Sequence, residues 1–338
     1  MLSDDRRRDE LLAEVASLYY EAGLSQGVIA KRIGTSRSNV SRLLSEARSK
    51  GIVEIHIVRP LPTDRSLQVH AVKLFGLRDA AILDSSWVPD TQILSRVGAL
   101  AARYLESLLR DGDSLAISWG TALREVENAI SSRHQQNVQV VQMIGGVGTI
   151  HPDVDGTELA HRFAGKLGGR HHYLNAPLLV EDPATRQALI QDVRIRRVLE
   201  MAAECSIALV GIGAVEPSVS SLLRAGYVTE EALIDLQRVG VVGDVCGWHF
   251  DIQGQVVDID INHRIVSLDL AALKRIPHVV GVAVGKPKAR AILGAIRGGL
   301  VNVIVTDNDT FKEVIHLNRD YPLNKDAGRV TKALNNCE

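Results

Sequence analysis

Cysteine is scarce in this chain: Cys205, Cys246 and Cys337 are the only three in 338 residues, far apart and without a CxxC pair. That excludes a disulfide scaffold and a structural zinc site and points to a reducing compartment. Cys205 and Cys246 read as small buried residues. Long apolar runs are also lacking. None approaches the roughly 18 residues needed to span a bilayer, and the start, MLSDDRRRDE, mixes charges without an apolar core, so a cytoplasmic, membrane-free protein is expected. Net positive charge is absent too. A formal charge of −1 excludes a globally basic nucleic-acid coat protein, so any DNA contact must come from a local basic patch.

Catalytic signatures are poor as well. Asp153, Asp155, Glu158 and His161 gather around one loop and helix start, but without an HExxH, an EF-hand spacing or a nucleophile elbow. Asp155 reads as the cap of a helix beginning near Thr157. His171 and His172 are neighbours on a predicted strand, so they point to opposite faces and cannot easily share a metal. No catalytic residue, metal ligand or cofactor is nominated.

What is present is apolar surface, 46% of residues, enough for a sizeable core in two domains. From Arg6 to Ala22, Leu11, Leu12, Val15, Leu18 and Tyr19 recur at helical spacing up to Gly23, and two shorter helical patterns follow. Residues 52–58 alternate as a short strand, and Arg59-Pro60-Leu61-Pro62-Thr63 then breaks regular structure. Residues 1–59 therefore read as a first domain, 60–63 as a linker and 64–338 as a second domain. In the second, short runs rich in Val, Ile and Leu (80–83, 114–118, 138–144, 171–176, 207–211, 279–284, 301–306) alternate with helical stretches such as 93–109, 158–167, 194–204 and 288–296. Strands buried on both faces and alternating with helices predict an α/β domain with a largely parallel sheet. Residues 243–258 break the rhythm and read as a hairpin turning at Gly254.

In SQGVIAKRIGTSRSNVSRLLSEARSKG, Ser25 caps one predicted helix, Ser36 caps a second, and Gly34-Thr35 forms the turn. Two closely crossing helices need a small residue in the first, a permissive residue at the turn and apolar residues on the inner face of the second. Ala30, Gly34, Val40 and Leu43 occupy those offsets, with Ile29, Ile33 and Leu44 completing the core. Lys31, Arg32, Arg37, Arg42, Arg48 and Lys50 face only Glu46 along the same stretch, which supplies the local basic patch. In a helix-turn-helix the start of the second helix enters the major groove, so Lys31, Arg32, Ser36, Arg37, Ser38, Asn39 and Arg42 are the candidate DNA contacts. The plain alternative is a helical hairpin with a solvated basic face.

Several strand-to-helix corners carry glycine and hydroxyl residues: Ser118-Trp119-Gly120-Thr121, Gly145-Gly146-Val147-Gly148-Thr149, Gly211-Ile212-Gly213 and Gly285-Lys286-Pro287-Lys288. In parallel α/β sheets ligands bind beyond the carboxyl ends of the strands, where helix N-termini favour an anion. A phosphate is the expected guest. Thr121 offers a hydroxyl, the glycines let backbone approach, and Lys286 or Lys288 neutralises charge. Asp244 and Asp251, which flank the hairpin, are candidate acceptors for sugar hydroxyls. A dinucleotide is disfavoured, because Gly211-x-Gly213 has Glu216 where a third glycine belongs. For each corner alone the bland reading is a tight turn.

Taken together, these residues resemble the SorC family of sugar-responsive transcriptional regulators, the DeoR-like sugar-binding regulators. The resemblance runs from the helix-turn-helix through Ser118–Thr121, Gly145-Gly146, Leu174-x-Ala176-Pro177, residues 209–213 and 243–247 to residues 288–292 and 305–307. It implies a winged helix-turn-helix followed by an effector domain with the fold of ribose-5-phosphate isomerase and glucosamine-6-phosphate deaminase, no longer catalytic. It also implies a homodimer or homotetramer on operator DNA. The Gly120-Thr121 turn and Lys288 match the family's phosphate positions; Gly145-Gly146 and Asp244 match its pocket positions. The full set of candidate effector contacts is thus Ser118, Trp119, Gly120, Thr121, Gly145, Gly146, Gly211, Gly213, Asp244, Asp251 and Lys288. Ile144 stands where some members place Arg or Lys, which disfavours a bisphosphate or an imine there. The expected effector is a sugar, sugar phosphate or polyol, and the rival expectations are a sugar-phosphate isomerase or deaminase with an accessory DNA-binding domain, or an oligomerisation platform.

Overall fold

The computed structural model describes residues 2–53, 61–131, 136–148 and 152–322. The chain forms two compact units, Met1–Pro60 and Leu61–Glu338. The first holds three helices, α1 (Leu2–Tyr20), α2 (Gln26–Arg32) and α3 (Arg37–Ser49). Leu12, Val15, Ile29, Ala30, Val40, Leu43, Leu44 and Ala47 are buried together between them. Ser25 Oγ accepts from the Val28 N–H at 3.4 Å and Ser36 Oγ from the Asn39 N–H at 3.2 Å, so both caps lie where the sequence puts them. Gly34 takes the left-handed φ of +70° that the turn requires. The expected strand over 52–58 falls, from Glu54 onward, outside the described residues. Ile52 and Val53 still close the end of α3, both N–H groups donating to the Ala47 carbonyl.

The second unit is built on seven parallel strands: β1 (Asp79–Leu83), β2 (Ser114–Ile117), β3 (Gln139–Gln142), β4 (Arg170–His172), β5 (Ile207–Gly211), β9 (His278–Val282) and β10 (Val303–Asp307). A smaller antiparallel sheet, β6 (Gly213–Ala214), β7 (Val241–Val245) and β8 (Trp248–Asp251), is inserted between β5 and β9. The strand order of the large sheet is β1-β10-β9-β5-β2-β3-β4. All seven predicted apolar runs became these strands. Burial on both faces explains why the runs of β1, β2, β5, β9 and β10 are mostly apolar. Leu115, Ile117, Ile207, Leu209, Val280 and Val282 face one core layer, whereas Ala116, Ala208, Val210, Val279 and Ile304 face the other.

The first layer is completed by α5 (Asp90–Leu108), α6 (Thr121–Ala129) and α7 (Gly156–Leu167), which bury Leu105, Leu123 and Phe163. The second is completed by α4 (Arg65–Phe75), α9 (Val193–Ala203), α14 (Ala289–Arg297) and α15 (Asn308–Asp320), which bury Ala71, Ala202, Ile292 and Phe311. The remaining helices are α8 (Pro183–Gln191), α10 (Ser221–Arg224), α11 (Glu230–Arg238), α12 (Asp260–Arg264) and α13 (Leu270–Leu273). Between α6 and α7, the fully buried Glu127 carboxylate contacts Arg162 and Lys166 at 2.5 and 3.1 Å. It fastens the two helices through charge that cannot reach water.

Two local expectations change. Residues 61–63, read as linker, run along β1: Thr63 bridges Leu83, the Asp84 N–H donates to the Pro62 carbonyl, and Leu61 packs on the core. The main hairpin turn is not at Gly254 but at Cys246-Gly247, whose φ values of +53° and +80° suit the tight turn joining β7 to β8. Gly254 makes a second, narrower turn, with one bridge between Phe250 and Val256. It has its own reason to be glycine, since a Cβ there would lie 2.3 Å from the Gly294 carbonyl and from Gly298.

Candidate DNA-reading and effector sites

In the first unit, Lys31, Arg32, Arg37, Ser38 and Arg42 are exposed on α2 and α3. The four basic side chains among them bond no other protein group among the described residues. Glu46 does not neutralise them, because Arg8 holds it through two hydrogen bonds of 2.6 and 3.1 Å. Asp9 likewise takes Lys50, at 2.8 Å. Glu46 and Asp9 are thus spent in fastening α1 to α3, and the face around the start of α3 stays cationic. Ser36 serves as cap, its Oγ also lying 3.1 Å from Ser38 Oγ. Asn39 is half-buried and donates one Nδ2 hydrogen to Thr35 Oγ1 at 2.9 Å, which leaves Oδ1 and the second Nδ2 hydrogen at its free end among the described residues.

In the second unit, chain order leaves β2 toward β3 and β4 on one side, and β5 toward β9 and β10 on the other. The adjacent ends of β2 and β5 are therefore the switch point at which open α/β sheets form a crevice. A cleft opens there, lined by Ser118–Thr121 after β2, Gly211–Gly213 after β5, Asp244 and Cys246 on the β7–β8 hairpin, and Lys288 before α14. The Gly211 N–H donates to Ser118 Oγ at 3.3 Å, tying the two corners together. Gly120 has φ +115° and no side chain to cap α6. The N–H groups of Thr121, Ala122 and Leu123 consequently have no helical partner. They present the positive end of α6 to the cleft.

Lys288 Nζ donates to the Ile212 carbonyl at 3.1 Å. Burial pushes its pKa down to about 8, opposed by the attraction of Asp244 and assisted by the repulsion of Arg224. The Asp244 carboxylate accepts from the Gly247 N–H at 3.2 Å and lies against the Cα of Gly213, where a Cβ would sit 1.9 Å from Oδ1. Gly213 is glycine to admit that carboxylate. The cleft thus combines anion-holding groups, at Thr121 and Lys288, with an acceptor at Asp244.

Not every predicted contact is gathered. Gly145 and Gly146 do not line this cleft. A Cβ on Gly145 would meet the Pro177 carbonyl at 2.3 Å, and Gly146 exchanges backbone hydrogen bonds with Ala176 and Leu178. Gly145 is a packing glycine, whereas a Cβ on Gly146 would make only ordinary contacts of 3.8–3.9 Å. Asp251 is also elsewhere, its carboxylate accepting the Gln253 and Gln255 N–H groups at 2.9 Å each in the Gly254 turn. Lys286 is exposed and lines no part of the cleft. Asp155 caps α7 as expected, accepting from Thr157, Val147 and Gly148 N–H groups. Conversely, Arg124, Ser221 and Arg224 line an adjoining hollow with Trp119–Thr121. Ser221 and Arg224 went unnoticed because α10 is a four-residue helix that follows no strand of the parallel sheet, and Arg124 because it lies inside α6, three residues past the Gly120-Thr121 corner. Among the described residues no cluster of His, Cys, Asp and Glu is arranged to hold a metal ion, and no helix is long and apolar enough to cross a membrane.

Comparison with known proteins agrees with this geometry. A family model described as "Putative sugar-binding domain" matches residues 60–316. The sorbitol operon regulator of Klebsiella pneumoniae is 32% identical over 91% of this chain and 97% of its own. The deoxyribonucleoside regulator of Bacillus subtilis is 31% identical over 92% and 99%. The crystal structure of the full-length Klebsiella pneumoniae sorbitol operon regulator SorC superposes with a TM-score of 0.68 at 29% identity, covering 93% of this chain and all of that one (100%). Fold, cleft and whole-length similarity converge on one conclusion: the chain belongs to the SorC family of sugar-binding transcriptional regulators.

Proposed function

We propose that the protein is a DNA-binding transcriptional regulator whose affinity for its operator is set by a sugar phosphate, sugar or polyol held in the β2/β5 cleft. The observation that carries this reading is that the uncapped N-terminus of α6, the Lys288 ammonium and the Asp244 carboxylate line one cleft. That arrangement matches a ligand with a phosphate at one end and hydroxyls at the other. Thr121, Lys288 and the α6 N–H groups take the phosphate, and Asp244 accepts from a hydroxyl. Arg37, Ser38, Arg42 and the free end of Asn39 read or grip the major groove, with Lys31 and Arg32 on phosphates. Residues 1–59 act as the output domain, and those beyond the linker as the sensor. The protein acts in the cytoplasm as a homodimer or homotetramer, so two-fold-related half-sites one helical turn or its multiples apart are expected.

We read the domain as binding without turnover. An isomerase needs a general base beside the substrate C–H, and the one carboxylate lining the cleft, Asp244, is engaged with Gly247 and packed on Gly213. Effector acts by binding one conformational state better than another. A thermal-shift screen against sugar phosphates, free sugars and polyols tests the sensor: a true ligand at one hundred times its dissociation constant stabilises by about 2.7 kcal/mol. A screen without a stabilising compound, or turnover of one by the purified protein, contradicts the reading.

A further inference from the structure

A hollow outside the effector cleft also borders the β7–β8 hairpin. Cys246 lines the effector cleft, while Trp248, two residues on, lines a separate cavity of about 410 Å³ together with Arg186, Val256, Val257, Asn262 and His263. That volume lies within the range of small-molecule sites.

Its chemistry is asymmetric. The Arg186 guanidinium lies over the Trp248 indole, 5.4 Å from the ring centroid, and its Nε donates to the Ile265 carbonyl at 2.6 Å. One face and one edge of the fork are therefore occupied. The two terminal nitrogens donate to no protein atom, and no carboxylate pairs with them, among the described residues. Burial works against this charge, opposed only by the more distant Asp269. Trp248 is itself fixed by its Nε1, which donates to the Leu268 carbonyl at 3.0 Å. Beneath it, the buried Asn262 is saturated: Oδ1 accepts from the His249 N–H, and Nδ2 donates to the His249 and Val257 carbonyls. The floor is rigid and neutral, and the walls at Val256 and Val257 are apolar. The acid in the lining, Asp258, is almost wholly exposed to solvent and lies 2.7 Å from His263 Nε2.

What remains unmet is the tip of one preorganised guanidinium fork next to apolar walls. We propose that this cavity is a second ligand site, which binds an organic monocarboxylate with an apolar body. Its carboxylate pairs end-on with the terminal nitrogens of Arg186, and its hydrocarbon part rests on Val256 and Val257. The in-plane fork selects a planar carboxylate, and the single uncompensated charge matches a monoanion better than a phosphate dianion.

Benzoate is a suitable probe, with acetate and sulfate as comparators, in calorimetric titrations of the full-length protein. The expected result is saturable binding of benzoate, tighter than acetate or sulfate. Affinity falls at least about tenfold in Arg186→Gln, since charge-assisted pairs contribute about 1.5–3 kcal/mol. Arg186→Lys, which keeps the charge but not the fork, also weakens binding, and Trp248→Phe, which leaves Arg186 in place, keeps the preference for benzoate. Thr121→Val, an effector-cleft variant, binds benzoate like wild type, which separates this site from the proposed sensor cleft. Melting curves of each variant confirm that it is folded. No saturable binding to wild type, equal binding by folded Arg186→Gln, or loss of binding in Thr121→Val overturns the proposal. So does a change of oligomeric state in Arg186→Gln, which makes the cavity an interface between copies of this chain.

Discussion

Replacing Lys288 by Met removes the one ammonium in the effector cleft while keeping an unbranched side chain of similar length. A hydrogen-bonded charge pair contributes about 1.5–3 kcal/mol, so affinity for the best sugar phosphate is expected to fall roughly 10- to 150-fold at pH 7. The pH dependence is sharper still. With its pKa near 8 in the free protein, Lys288 is charged in most molecules at pH 7 and in about a tenth of them at pH 9. Binding of a phosphate, already dianionic across that range, should therefore weaken about tenfold between the two in wild type and hardly at all in Lys288→Met. The stability sign is opposite. The folded pKa lies below the ordinary 10.5, so the unfolded chain binds more protons between about pH 8 and 10.5, and this contribution to stability rises with pH there. At pH 7 the Met variant loses a half-buried ammonium and should melt no lower than wild type, so lost affinity cannot be blamed on unfolding. Isothermal titration at pH 7 and 9 with both proteins is the assay. Wild-type affinity and wild-type pH slope in Lys288→Met would refute the assignment of Lys288 to the anion.

Other substitutions probe the remaining parts. Glu127→Ala strands Arg162 and Lys166 against the α6–α7 seam and should cost about 3–5 kcal/mol in urea unfolding, far more than Glu127→Gln. Gly145→Ala must push its Cβ into the Pro177 carbonyl and should lower the melting temperature sharply while the folded fraction keeps its effector affinity; the reverse pattern would return Gly145 to the ligand site. Ser36→Ala removes the cap of α3 and should cost about 1 kcal/mol of stability. Arg37→Ala or Arg42→Ala should instead leave stability unchanged and weaken operator binding by about 1–3 kcal/mol in a gel-shift titration if the residue contacts a base bidentately.

The parallel sheet was legible in the sequence because its strands are buried on both faces: β2, β5, β9 and β10 read as nearly unbroken apolar runs. The helix pair α2–α3 was legible because Ser25, Gly34 and Ser36 act within three residues of themselves. Interactions that depend on distant chain were not. Cys246 adopts a positive φ that its residue type does not announce, so the hairpin turn was placed at the more obvious Gly254. Gly145-Gly146 looks like a phosphate corner in sequence, but only the approach of the segment at Pro177-Leu178 reveals why no Cβ fits at Gly145. Asp244 and Lys288 were found, yet they meet in one cleft only when the β7–β8 insert folds against the ends of β2 and β5. Ser221 and Arg224 reach that cleft and its adjoining hollow by tertiary placement alone.

The central claim is that occupancy of the β2/β5 cleft changes DNA binding. Fluorescence anisotropy on a duplex obtained by selection from random sequence, with and without the ligand found by thermal shift, tests it most directly when wild type is compared with Thr121→Val. The account predicts that ligand shifts the wild-type DNA affinity severalfold or more, whereas Thr121→Val binds the duplex with wild-type affinity and responds only at much higher ligand concentration. An identical ligand response in the two proteins, or a wild-type affinity that ligand leaves unchanged, would contradict it.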